Sequence, residues 1–263
     1  MAAAAGTRDE RIAMALSRAV GGIIGALCLM LFCTAAGAAA DEPLRVAVID
    51  NSPPMSYEDA DGKLVGFNIE MAEALCQTMR VRCTLQRVSI GRLIDTLVAG
   101  EADFAAVSLL VTPERQQQVL FSKPYYHSLS IWLARPETRP GTPGIVVAAV
   151  RGSAQARHVE GEGWKHLFVD HHRDLPALLA AGTADAALVP MPTALQLVRE
   201  KALQQAGVAP SILPAPLLGG DVAFSISPRR PDLRPRIDAA IDAVKNDGRF
   251  DRINSKYLPF RLQ

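Results

Sequence analysis

The residues able to do chemistry in this chain are few and widely separated. Cys76 and Cys83 stand on either side of a helix exit in Gly66 to Cys83, and His171 and His172 are adjacent in a loop. Two thiols at this spacing suit a disulfide, a pair of buried free thiols, or half of a metal site. The metal reading is the weakest, because no histidine or second cysteine pair lies near them in sequence, and adjacent histidines on a loop point in different directions. No metal site is therefore expected, and the choice between disulfide and free thiols turns on the compartment.

The N-terminal forty residues bear on that choice. Arg8, Arg11 and Arg18 precede an apolar run from Ala19 to Phe32, and small residues follow, ending in Ala38, Ala39 and Ala40. This is the pattern of a secretory signal peptide, residues 1–40, with cleavage expected after Ala40. Its apolar core falls short of the roughly 20 residues a membrane span needs. Cys28 and Cys33 lie within it, preceded by Leu27 and Phe32 rather than a small residue, so lipid attachment is not expected. Export would place Cys76 and Cys83 in an oxidising compartment, where a disulfide forms and persists.

The whole chain has 263 residues, 28 basic and 27 acidic side chains, and 49% hydrophobic residues. The leader holds Arg8, Arg11, Arg18, Asp9 and Glu10, so its removal leaves equal numbers of each sign and a formal charge of zero. A balanced surface gives no electrostatic reason for binding nucleic acid or membrane, while the apolar fraction is ample for a buried core.

These residues need elements to position them. Leu44 to Ile49 reads as a buried strand, Asp59 to Gly62 as a hairpin tip, and Ile69, Met71, Ala72, Leu75 and Met79 as the apolar face of a helix capped by Asn68. Thr84 to Val88 and Phe104 to Val111 are further strands, with a helix at Gly91 to Ala99 between them. The alternation resumes after the proline-rich stretch Pro136 to Pro143, with strands at Gly144 to Val150, His166 to Val169 and Ala184 to Val189, and helices from Ser153 and over Leu175 to Ala181. A second breaker, Ala209 to Pro216, closes that unit. Ser128 to Leu133 and Asp221 to Ile226 read as strands passing between lobes, and helices at Leu233 to Val244 and up to Tyr257 pack back on the first. The expected fold is α/β, two parallel-sheet lobes with crossover helices, hinged about a cleft. Residues 41–132 and 222–263 would form lobe I, and 133–221 lobe II.

Several segments in this order resemble the family 3 extracellular solute-binding proteins, the periplasmic receptors of polar amino-acid ABC importers. They are Pro53 to Tyr57, Asp61 to Ala72, Thr112 to Arg115, Phe121 to Tyr126 and Asn246 to Phe250. The resemblance spans the mature chain and implies a two-lobed, type II periplasmic binding fold. It also implies a disulfide at the spacing of Cys76 and Cys83, a membrane permease as partner, a monomer, and no cofactor. It assigns Arg115 to the ligand carboxylate, with Ser108 and the backbone near Leu110 as additional donors. Gly152 and Ser153 match a second-lobe anion-binding turn, although a plain helix cap explains Ser153 equally well.

The resemblance breaks at ligand positions. Ser52 stands where relatives carry an aromatic residue, Leu110 where they carry a small or hydroxyl-bearing one, Ala154 where they carry Thr, and Pro190 where an Asp pairs with the ligand ammonium. Asp50 or Asp221 would have to supply that charge, and Tyr126 or Trp132 the aromatic surface. The expected function is solute binding for an ABC importer, the solute carrying a carboxylate and most simply being an amino acid. An accessory or sensor protein with a changed cleft is the alternative, and a cyclohexadienyl-type dehydratase a more distant one.

Overall fold

The apolar run after the expected leader forms β1 (Leu44–Val48), whose Val46, Ala47 and Val48 are fully buried. The computed structural model describes residues 42–213 and 218–262. The leader, and Pro214 to Pro216 of the second breaker, lie outside the described residues.

Strand β1 lies at the centre of parallel pairing with β4 (Cys83–Arg87) and β5 (Phe104–Leu110). The first sheet has the order β4-β1-β5-β13-β6, with β13 (Gly220–Ile226) antiparallel to β5, to β6 (Leu120–Phe121) and to β7 (Tyr126–Ser128). Side chains alternate across it, as the pleat requires. Val46, Val48, Phe104 and Ala106 face a core shared with helix α1 (Phe67–Met79) and helices α8 (Leu233–Asn246) and α9 (Arg249–Tyr257). Ala47, Ala105 and Val107 face α2 (Leu93–Ala99) on the other side. The terminal helices thus return to the first lobe, as the sequence suggested.

The second sheet has the order β10-β9-β11-β8-β12. Its parallel centre comprises β9 (Val147–Val150), β10 (His166–Val169) and β11 (Ala186–Pro190). Strands β8 (Ser130–Ala134) and β12 (Ala209–Ile212) run antiparallel beside them. One face packs on α5 (Leu175–Ala180), α6 (Met191–Leu197) and α7 (Lys201–Gln205), and the other on α4 (Ala154–Gly161). Strand β12 tolerates Pro210 because it is the outer strand and needs no donor on its free side.

The chain changes sheets at Leu129, so Ser128 pairs in the first sheet and Ser130 in the second. The run read as one passing strand is therefore two strands, and Ile131 and Trp132 belong to the second lobe's sheet. Strand β13 likewise lies wholly in the first sheet.

The Asp59 turn joins β2 (Tyr57–Glu58) to β3 (Leu64–Val65), its carboxylate accepting from the amides of Asp61 at 3.0 Å and Lys63 at 2.9 Å. The entry of α1 differs from expectation. Its first amides, on Phe67 and Asn68, donate to the carbonyls of Pro54 and Met55. The cap position falls on Gly66, at φ 131°, where a Cβ would lie 2.5 Å from the Met55 carbonyl oxygen. Asn68 lies in the first turn, two residues past the cap, and caps nothing, which frees its side chain for the cleft.

Arg80 ends α1 in the left-handed region, and the disulfide Cys76–Cys83 then ties the helix to the first residue of β4. Closing a loop this short contributes about 2.5 kcal/mol in the chain-entropy account. Urea unfolding of Cys76→Ser/Cys83→Ser should show a loss of about that size, with solute affinity unchanged because the bridge lies away from the cleft. Unaltered stability would show that the bridge does not brace this lobe.

Candidate functional site

A cavity of about 50 Å³ lies where the two lobes meet, lined by both. The first lobe contributes Ser52 and Met55 from the loop after β1, Asn68 from α1, Ser108 and Leu110 from β5, and Arg115. The second contributes Ser153, Ala154 and Gln155 from the start of α4, together with His172, Pro190 and Thr193.

Arg115 sits in the single turn α3 (Pro113–Gln116), which starts with Thr112 accepting from the Arg115 amide and with Pro113 in the first helical position. This anchors the backbone and sends the guanidinium into the interlobe junction, where the residue is only 3% exposed. Its Nη1 donates to the Leu110 carbonyl at 2.9 Å, and Nη2 to the Gly152 carbonyl of the opposite lobe at 3.4 Å. Nε is buried with no hydrogen-bond partner, and among the described residues Arg115 makes no ion pair. Burial, and then the Arg157 charge, lower its pKa to about 9, with Glu114 opposing. Arg157 also directs Nη1 at the Gly152 carbonyl, at 3.5 Å.

Ser108 donates to Asn68 Oδ1 at 2.7 Å and lies 3.2 Å from the Tyr125 hydroxyl. Behind them Tyr125 stacks on Phe224 at 4.3 Å and meets Tyr126 edge-on at 4.9 Å, a rigid aromatic wall. Burial raises the pKa of both tyrosines, so their phenols stay protonated. Tyr126 lines the cavity. Trp132 does not supply the missing aromatic surface: it packs edge-on against Trp164 at 5.6 Å, with its indole donating to the Thr138 carbonyl.

The lobes touch directly across the cleft. Ser52 Oγ lies 3.1 Å from His172 Nδ1, and Arg173 donates to Asn51 Oδ1 at 2.7 Å at the rim. Burial, and then the neighbouring His171, lower the His172 pKa to about 4, so it is neutral at neutral pH. Protonation would favour any state that exposes it. Gly152, at φ 77°, approaches Gly91 so closely that a Cβ would lie 2.5 Å from the Gly91 Cα.

The residues read from sequence divide accordingly. Ser52, Ser108, Leu110, Arg115 and Ser153 line the cavity, as do the altered positions Ala154 and Pro190, and Gly152 borders it through Arg115. Ser153 Oγ accepts from the Ala156 amide at 3.0 Å, so its side chain caps α4. Neither acid reaches the cavity lining. Asp50 lies in an adjoining recess, 3.9 Å from His171. Asp221 is 60% exposed and 3.5 Å from His127, because strand alternation turns its neighbour Val222 inward and it outward. Asn68, Gln155, His172 and Thr193 are lining residues that the sequence reading did not assign. Gln155 directly follows the Gly152-Ser153-Ala154 turn, which was a usable signal; His172 carried none.

Residues 44–260 match the bacterial extracellular solute-binding proteins, family 3. The chain belongs to that family. This solute-binding protein is 26% identical over 249 residues to the L-arginine-binding protein of Pseudomonas aeruginosa, covering 90% of this chain and 96% of the relative. It is 28% identical over 237 residues to the lysine/arginine/ornithine-binding periplasmic protein of Escherichia coli, covering 86% and 91%. It also matches the structure of an ancestral arginine-binding protein bound to arginine, with a TM-score of 0.73, 26% identity, and coverage of 83% and 99%. The fold is the type II periplasmic binding fold.

If solute capture requires this closed arrangement, Gly152→Ala should weaken solute affinity about tenfold or more while each lobe still folds. Small-angle scattering should show a more open molecule. Wild-type affinity in this variant would mean that the Gly91–Gly152 approach is dispensable.

Proposed function

We propose that this chain is the exported solute-binding component of an ABC importer, working as a single chain with a membrane permease, and that Arg115 receives the carboxylate of a small solute. The observation carrying this reading is a buried guanidinium with an unpartnered Nε and, among the described residues, no ion pair, the adjacent Glu114 being exposed. A buried cation without a counter-charge is strongly destabilising, and an incoming carboxylate supplies that charge together with bidentate acceptors. The Leu110 and Gly152 carbonyls are partial substitutes that the carboxylate would displace or share. The names of two relatives, an L-arginine-binding protein and a lysine/arginine/ornithine-binding protein, support an amino-acid-sized carboxylate as the solute. The leader at residues 1–40 fits delivery to the periplasm.

Binding, rather than catalysis, is supported by the titration of the lining groups. Burial holds His172 at about 4 and Arg115 at about 9, and raises Tyr126, so none of the three exchanges protons readily near pH 7.

Arg115→Met separates this reading from a structural role. Losing a charge-assisted bond of roughly 1.5–3 kcal/mol should weaken carboxylate binding about tenfold or more by calorimetry. The unliganded variant should melt no lower than wild type, because an uncompensated buried charge has been removed. Undiminished affinity would sink the assignment.

A further inference from the structure

Charge in the cavity lining is one-sided. Arg115 is its single lysine, arginine, aspartate or glutamate, and the lining includes no carboxylate. The two nearby acids sit elsewhere, Asp50 in the recess beside His171 and Asp221 in solvent beside His127. Two guanidiniums, those of Arg115 and Arg157, converge on the Gly152 carbonyl. Four acceptors at the site are already engaged in the unliganded protein. Asn68 Oδ1 accepts from Ser108, Ser153 Oγ from the Ala156 amide, and the Leu110 and Gly152 carbonyls from Arg115.

A monoanion neutralises Arg115. A zwitterionic amino acid leaves one buried positive charge uncompensated, and a cationic amino acid leaves two. The rest of the wall is uncharged, with Ile49, Met55, Ile90, Leu110, Pro190 and Val222 beside neutral polar groups such as Gln155 and Thr193, and the space of about 50 Å³ holds only a few water-sized groups. We infer that the solute is a small monocarboxylate without an ammonium, a 2-oxo or 2-hydroxy acid with a short uncharged tail. Its C2 oxygen meets neutral partners, the Tyr126 phenol and the His172 imidazole, both on the lining. This rests on Arg115 as the carboxylate anchor and narrows what accompanies the carboxylate.

Calorimetry on the mature protein at pH about 7.5 tests it with matched triplets. These run from glycine, glycolate and glyoxylate, through leucine and its 2-hydroxy and 2-oxo analogues, to phenylalanine, phenyllactate and phenylpyruvate, with arginine alongside. Within the triplets that bind, the oxo or hydroxy acid should bind about tenfold or more tightly than the amino acid, and arginine should bind more weakly than either. An amino acid binding as tightly as its oxo and hydroxy partners, or tighter, overturns the inference and leaves Arg115 as anchor intact. Absence of binding by every carboxylate overturns both.

Discussion

The guanidinium of Arg115 is withdrawn from water at the junction of two lobes, bonded to carbonyls and, among the described residues, to no carboxylate. Desolvating a cation in this way costs several kcal/mol unless a counter-charge arrives. The architecture around it holds that unmet charge in place. Thr112 and Pro113 fix the turn that carries it, β5 supplies the Leu110 carbonyl, and the turn after β9 presents Gly152 from across the cleft. Because one donor goes to each lobe, an anion at Arg115 acts on binding and on closure together.

The two lobes contribute different chemistry. The first is stiffened by the disulfide behind α1 and by the stacked Tyr125 and Phe224, so Ser108 and Asn68 have a rigid backing. The second offers a helix start whose serine is spent on capping, a neutral histidine and two prolines. Its contribution to the cleft is shape and exclusion of water more than charge. Excluding water strengthens the electrostatic bond formed at Arg115.

Much of the frame was legible because it follows from local rules. The alternation of apolar runs gave the two sheets, Asp59 to Gly62 gave the hairpin, and the spacing of Ile237, Ala240, Ile241 and Val244 gave the returning helix. Asn68 misled because an Asn before an apolar run reads as a cap, whereas loop carbonyls from Pro54 and Met55 satisfy the helix entry. The single run from Ser128 to Leu133 hid a change of sheet at Leu129, which periodicity cannot reveal. His172 reaches the cleft only because the lobes meet, a tertiary fact with no local pattern. Asp221 was open to a better reading: with Val222 inward, period-two alternation puts it outside.

The central claim, that the Arg115 guanidinium waits for an anion, is accessible by nitrogen-15 NMR of arginine side chains. In the free protein the buried Arg115 Nε–H should give a slowly exchanging resonance, assigned by its loss in Arg115→Met. Saturating carboxylate ligand should shift that resonance strongly as Nε or its neighbours gain a charged acceptor, while surface arginines stay put. A saturated protein in which the Arg115 resonance has not moved would contradict the account.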